Sequence, residues 1–201
     1  MPKGGSPTFE DTLADLTRSD FDRVNLVGSS GSGKSTLGRA LAQALDLPLV
    51  EIDDLFWGPN WTPTPDETFM PRLSAALAGP RWVLDGNYDR TRALKWARAT
   101  LVVWIDPPYP RVLWQVFLRT LKRSFGNVRL WRHGNRESLR RAFLSKDSIL
   151  LWSFQNLYLM PAHQRQYLHQ RMHQVMAKLW LCHVDELLDL TLSHLLDHNP
   201  R

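Results

Sequence analysis

Three observations predict an α/β fold built on a parallel sheet. Short apolar runs alternate along the 201 residues with segments of helical spacing, the pattern of β-α-β units. A glycine-rich stretch, GSSGSGKS at positions 28 to 35, separates the first apolar run from the first helical segment. Two further runs end in acids, Asp53-Asp54 and Asp85-Gly86, and a parallel sheet gathers its ligands at such carboxyl ends.

The elements follow in order. Met1 to Asp22 is an N-terminal extension that opens loop-like with Pro2, Gly4, Gly5 and Pro7. Thr8 with Asp11 resembles a capping box, so a short helix is expected over Phe9, Leu13 and Leu16. Residues 23–201 form the main domain. Arg23 to Val27 suits a buried strand, and Ser35 to Leu45 sets Leu37, Leu41 and Leu45 on one helical face. Leu47 to Ile52 reads as a second strand, followed by the aromatic and proline-rich stretch Leu55 to Pro65. Asp66 to Ala78 reads as a helix closed by Gly79-Pro80. Arg81 to Leu84 makes a third strand, Asp89 to Ala99 a helix, and Thr100 to Ile105 a fourth strand stopped by Asp106-Pro107-Pro108. A long helix is expected from about Pro110 to Ser124, then a loop from Phe125 to Asn135. Two helices over 136–160 and 162–177, a fifth strand over Leu179 to His183 and a last helix over Asp185 to Leu196 complete the chain. Trp82, Trp104, Trp114 and Trp180 fall within these elements and read as packing residues.

Composition narrows the class. The chain is 43% hydrophobic and 22% charged, as a globular protein should be. No apolar run approaches the roughly 18 residues of a membrane span, and the polar first 22 residues do not resemble a secretion signal. A cytoplasmic monomer or homodimer without membrane contact is expected. The single Cys182 forbids an intramolecular disulfide framework and any cysteine metal cluster. His169 and His173 stand at i, i+4, but no third zinc ligand accompanies them.

The net charge of +5 is unevenly spread. Between Arg111 and Lys146 ten Lys/Arg face one acid, Glu137, a balance of +9, whereas the rest carries 15 Lys/Arg against 19 acids, or −4. A local phosphate clamp accounts for this better than a nucleic-acid surface does.

GSSGSGKS matches G-x-x-x-x-G-K-[ST], the loop that wraps nucleotide phosphates. Gly28, Gly31 and Gly33 allow successive N–H groups of the loop, Ser29, Ser30 and Ser32 included, to face one anion. Lys34 can reach the β/γ-phosphates, and the Ser35 hydroxyl can ligand Mg²⁺, with Thr36 next in the helix. Asp85 stands where a carboxylate can hold that Mg²⁺ or its waters. Asp53 and Asp54 can orient an acceptor hydroxyl, take its proton or bind a second metal, Asp53 being favoured by its place directly after Ile52. Trp57 can line an acceptor pocket. Gly86, Asn87 and Tyr88 extend the same site, and Arg90 is a candidate acceptor contact. Arg119 and Arg123, four apart on the long helix, can grip phosphates when a loop closes. Arg129, Arg132, Arg136, Arg140 and Arg141 are lid candidates within about 119–141.

The chain resembles the adenylate kinase-like P-loop kinases, which include nucleoside monophosphate kinases, shikimate kinase and gluconate kinase. Within them it is most similar to the bacterial group labelled topology modulation proteins, through GSSGSGKST, IDDLFWGPNW and WVLDGNY. The resemblance spans roughly Arg23 to Leu196. It implies a five-stranded parallel sheet flanked by helices, an arginine-rich helical lid, and ATP with Mg²⁺. It also implies that Asp85 and Gly86 contact Mg²⁺ waters and acceptor, and that Arg119 and Arg123 are the paired lid-helix arginines. This chain departs from adenylate kinases by placing Asn87-Tyr88-Asp89 before Arg90-Thr91, and by having no arginine between Asp53 and Arg72. These departures weigh against AMP as the acceptor and leave a nucleoside, a small hydroxylated metabolite or water alone open. The expected function is Mg²⁺-dependent transfer of the ATP γ-phosphate to a nucleotide or other small-molecule acceptor; an ATP-binding or hydrolysing regulatory protein, associated with nucleic acid and without a small-molecule acceptor, is the alternative from another class.

Overall fold

A computed structural model describes residues 18–105, 107–126, 129–135 and 178–181. Five parallel strands form one sheet in the order β2-β3-β1-β4-β5: β1 (Arg23–Gly28), β2 (Leu49–Glu51), β3 (Trp82–Asp85), β4 (Leu101–Ile105) and β5 (Lys178–Leu181). The helices are α1 (Lys34–Leu45), α2 (Ile52–Phe56), α3 (Asp66–Ala76), α4 (Arg92–Trp96) and α5 (Tyr109–Phe125). The expected parallel α/β sheet is thus present. Four of its strands carry described side chains, and β5 is defined by backbone pairing of Val102 to Ile105 with Lys178 to Leu181. The expected leading helix, the helices after Asn135, Cys182, His169 and His173 all lie outside the described residues.

Pleating explains how the sheet builds a site. Alternate residues of β3 point to opposite faces: Trp82 and Leu84 pack with Ile52, Phe69, Leu73 and Leu77, while Val83 joins Leu26, Leu37, Leu41 and Leu45 under α1. Complete burial of Trp82, Phe69 and Leu73 contributes about 1.5–3 kcal/mol for each side chain. The same alternation turns Asp85 toward α1. Strand order reverses at β1, because β2 and β3 lie on one side of it and β4 and β5 on the other. The loop after β1 therefore opens at the switch point, where ligands bind in such sheets.

Three expectations are corrected. The second strand stops at Glu51, and Ile52 to Phe56 turn into a helix, so Asp53 and Asp54 occupy its first turn. A five-residue helix is too short to show a period in sequence. The helix expected over Asp89 to Ala99 is a 3₁₀ turn, Asp89–Thr91, followed by α4. Trp114 is not core: it is 59% exposed and stacks on Phe117, because α5 turns this side away from the sheet.

Candidate active site

The loop after β1 takes the tight conformation its glycines permit. Gly28, Gly31 and Gly33 have φ of 150°, 82° and 103°. A Cβ on Gly28 would stand 2.3 Å from the Ile105 carbonyl oxygen, and one on Gly31 2.4 Å from Val116 Cγ2. Gly31 thus also lets α5 seat against the loop. That seating carries Arg119 inward, where its guanidinium donates to Ser30 Oγ at 3.0 Å. Arg123 lies one turn further along, half-buried.

Lys34 folds back inside the loop and donates to the Gly28 and Ser29 carbonyls at 2.7 and 2.6 Å. Burial pushes its ammonium down to about 8, against the pull of Asp85 and Asp53; Arg119 lowers it further. Ser35 Oγ donates to Asp85 Oδ2 at 2.5 Å, joining residues fifty positions apart. A hydroxyl and a carboxylate beside the phosphate loop are the hard oxygen donors that suit Mg²⁺, which keeps most of its shell for water and phosphate. The described residues contain no group of three His, Cys, Asp or Glu able to hold a metal by themselves. The donor set therefore fits Mg²⁺ held jointly with a nucleotide.

Asp53 faces the same space. Tyr88 donates its phenol to Asp53 Oδ1 at 2.7 Å. Burial raises the Asp53 carboxyl, the Tyr88 hydrogen bond lowers it, and Asp85 raises it again. Burial and the Asp53 charge drive the Tyr88 phenol far above its ordinary value. Phe56 and Phe69 pack edgewise or tilted on Tyr88, and Trp57 packs on Phe56 and Trp61. Arg90 lies over the Phe56 and Phe69 rings and pairs with Asp66 at 3.2 Å.

Asp54 has a different partner from Asp53. It accepts from the Arg132 backbone N–H at 2.7 Å and from its guanidinium Nε at 2.8 Å and Nη2 at 2.6 Å. The Asn135 side-chain amide donates to the Gly58 carbonyl and accepts from the Trp61 N–H, and Trp131 packs edgewise on Trp61. Residues 129–135 are therefore docked on the stretch after α2. Arg132, a lid candidate, binds a carboxylate here. Arg136, Arg140 and Arg141 lie outside the described residues.

Two site residues have roles that sequence spacing could not reveal. Asn87 brackets Gly28, donating to its carbonyl at 2.6 Å and accepting from its N–H at 3.0 Å. Gly86, at φ 144°, leaves room for Ile52, whose Cβ would be 2.8 Å from an added Cβ. Both contacts join residues distant in sequence, and the Asn87 one is made to backbone groups, which carry no residue signature.

The shikimate kinase family matches residues 30–59, from the phosphate loop through Asp53 and Asp54. A shikimate kinase of Rhodococcus jostii (strain RHA1) is 71% identical over 28 residues, covering 14% of this chain and 17% of that protein. An adenylate kinase of Cyanothece sp. (strain PCC 7425 / ATCC 29141) is 32% identical over 111 residues, covering 45% of this chain and 56% of that protein. The chain is similar to shikimate kinases and adenylate kinases around its phosphate loop. It spans about half the length of the matched adenylate kinase and about a sixth of the shikimate kinase. Among solved structures, a gluconokinase from Sinorhizobium meliloti 1021 aligns with TM-score 0.49 and 17% identity over 90% of this chain and 94% of its own. A shikimate kinase from Acinetobacter baumannii in complex with shikimate aligns with TM-score 0.48 and 17% identity over 90% and 96%. No helix among the described residues is long and apolar enough to cross a membrane.

The two buried lysines give the protein a pH signature. Burial also brings Lys95 down to about 8, with Asp89 opposing. Both lysines release their protons near pH 8 in the native state but hold them to about 10.5 when unfolded. Unfolding then takes up protons in that window, so stability rises with pH there; below it both states are protonated and nothing changes. Above pH 10 Tyr88 acts in the opposite sense, its folded phenol keeping a proton that the unfolded chain loses. Urea midpoints of the nucleotide-free protein are expected to climb from pH 8 to pH 10, and to stay flatter in Lys34→Met/Lys95→Met.

Proposed function

We propose that this protein is a Mg²⁺-dependent kinase that passes the γ-phosphate of ATP to a hydroxyl group of a small molecule. One observation carries the reading: Lys34, the Ser35–Asp85 pair, Arg119 and Asp53 converge on one phosphate loop. Phosphoryl transfer asks a protein chiefly to position two substrates and to neutralise charge. The loop amides and Lys34 would hold the β- and γ-phosphates, and Arg119 would meet charge spreading onto the migrating group. Ser35 and Asp85 would hold Mg²⁺, which neutralises phosphate oxygens when bound. Asp53, fixed through Oδ1 by Tyr88, presents Oδ2 to the acceptor. Its raised proton affinity suits a base: it takes the hydroxyl proton as the acceptor oxygen bonds to phosphorus and the bond to ADP breaks.

The acceptor side is acidic and aromatic. Asp53, Trp57 and Tyr88 suit a hydroxylated molecule, and Arg90, held by Asp66 and two rings, leaves a phosphorylated acceptor poorly served. Shikimate, the substrate named for the family matching residues 30–59, heads the panel, followed by gluconate, other sugar acids and polyols, nucleosides and AMP. Incubation with γ-labelled ATP is expected to move label to one of the hydroxylated compounds. Asp53→Asn should lower that transfer about 100-fold or more while ATP affinity stays within about twofold. Hydrolysis of ATP with no label on any acceptor would favour a regulatory ATPase instead.

A further inference from the structure

Lys95 is an anomaly of the core. It lies on α4, a lysine only 2% exposed, and a buried ammonium is costly unless its donors are met. Its Nζ donates to two consecutive backbone carbonyls, Gly86 at 3.1 Å and Asn87. These belong to the turn that joins Asp85 to Tyr88. The turn is unfavourable by itself: Gly86 has φ of 144° and Tyr88 of 34°, backbone regions that persist only when surroundings enforce them. Asn87, held by its carbonyl, sends its side-chain amide across to both backbone groups of Gly28. A continuous line of hydrogen bonds thus runs from the α4 ammonium through the turn to the first glycine of the phosphate loop.

We infer that Lys95 is a positioning residue that sets the phosphate loop at Gly28 through Asn87, while holding Asp85 and Tyr88 at their places in the site. It rests on the phosphate-loop reading above, and it adds a residue that touches neither nucleotide nor acceptor. α4 then bears directly on donor binding, although it lies on the other side of the turn.

The whole chain tests this with Lys95→Met, Asn87→Ala, the double variant and Leu101→Ala, a buried change at the start of β4, the opposite end of the sheet from the phosphate loop. Two readouts are taken: amide hydrogen exchange of residues 26–33 and 84–91 without nucleotide, and the Kd for MgATP by calorimetry. Lys95→Met is expected to speed exchange in both segments and to raise the Kd about tenfold. Asn87→Ala should speed 26–33 alike, and the double variant should bind no worse than the weaker single one, since both act along one line. Leu101→Ala should lower the melting temperature and leave both readouts at the wild-type level. Unchanged exchange at 26–33 in Lys95→Met, losses that multiply in the double variant, or equal losses in Leu101→Ala would each overturn the inference. Should Lys95→Met fail to fold, Lys95→Gln, shorter and neutral but still a donor, is judged by the same exchange. Failure of the wild type to bind MgATP would sink the phosphate-loop reading alone, because the exchange data still decide the role of Lys95.

Discussion

Replacing Lys34 by alanine is expected to weaken MgATP binding at least about 100-fold and to bring phosphate transfer below detection, with the fold retained. The ammonium is buried inside the loop, and the two carbonyls it meets there, Gly28 and Ser29, are poor substitutes for phosphate oxygens. Burial lowers its proton affinity to about 8, so the charge is held at a cost that an anionic ligand would offset. Two measurable consequences follow from this sign. Nucleotide-free Lys34→Ala should melt no lower than wild type, because the variant loses a desolvated charge. MgATP should raise the melting temperature of wild type and leave the variant unmoved. A further consequence concerns protons: above pH 8 ATP binding should draw a proton onto Lys34, visible as heats that depend on buffer ionisation. A Lys34→Ala protein that still shifts its melting temperature with MgATP and still turns over would remove the basis of the kinase reading.

The second large effect is expected at Asp85. Asp85→Asn keeps an acceptor for Ser35 Oγ at nearly the same place, so the fold and the 2.5 Å pairing geometry are preserved in shape. The negative charge is lost. Mg²⁺ should then bind the complex weakly, and transfer at a fixed Mg²⁺ level should fall about 10²- to 10³-fold, partly restored by excess Mg²⁺. Affinity for ATP without metal should hold or improve, because a carboxylate facing the phosphates has gone. Lys34 loses the Asp85 attraction in the same variant, which moves its proton affinity lower still. A Mg²⁺ titration of transfer separates these effects; an unchanged profile would show that Asp85 does not serve the metal.

The phosphate loop could be read directly because its conformation is local. Glycine spacing decides which backbone dihedrals are open, and the observed positive φ values of Gly28, Gly31 and Gly33 follow from that spacing. The sheet was equally legible from alternating apolar runs. Asp85 was placed by its position at the end of an apolar strand, and the pleat of β3 turns it with Val83 toward α1 and Ser35.

Other features needed the folded chain. Both Asp53 and Asp54 stand in the first turn of α2, yet one meets Tyr88 in the site and the other binds Arg132 from a segment 78 residues away. Adjacent identical residues are divided in this way only by the direction each Cβ takes on a helix five residues long. Trp114 and Trp82 look alike in sequence, and only the sheet shows which one is covered.

By itself the sequence determined the α/β class, the phosphate loop and the acids at the strand ends, all set by neighbours in the chain. Tertiary structure alone decided that Asn87 brackets Gly28, that Lys95 holds the turn before it, and that Arg132 answers Asp54. These are contacts between residues 8 to 78 positions apart, several of them made to backbone atoms. Backbone groups are the same at every residue, so only folding shows which side chain reaches them.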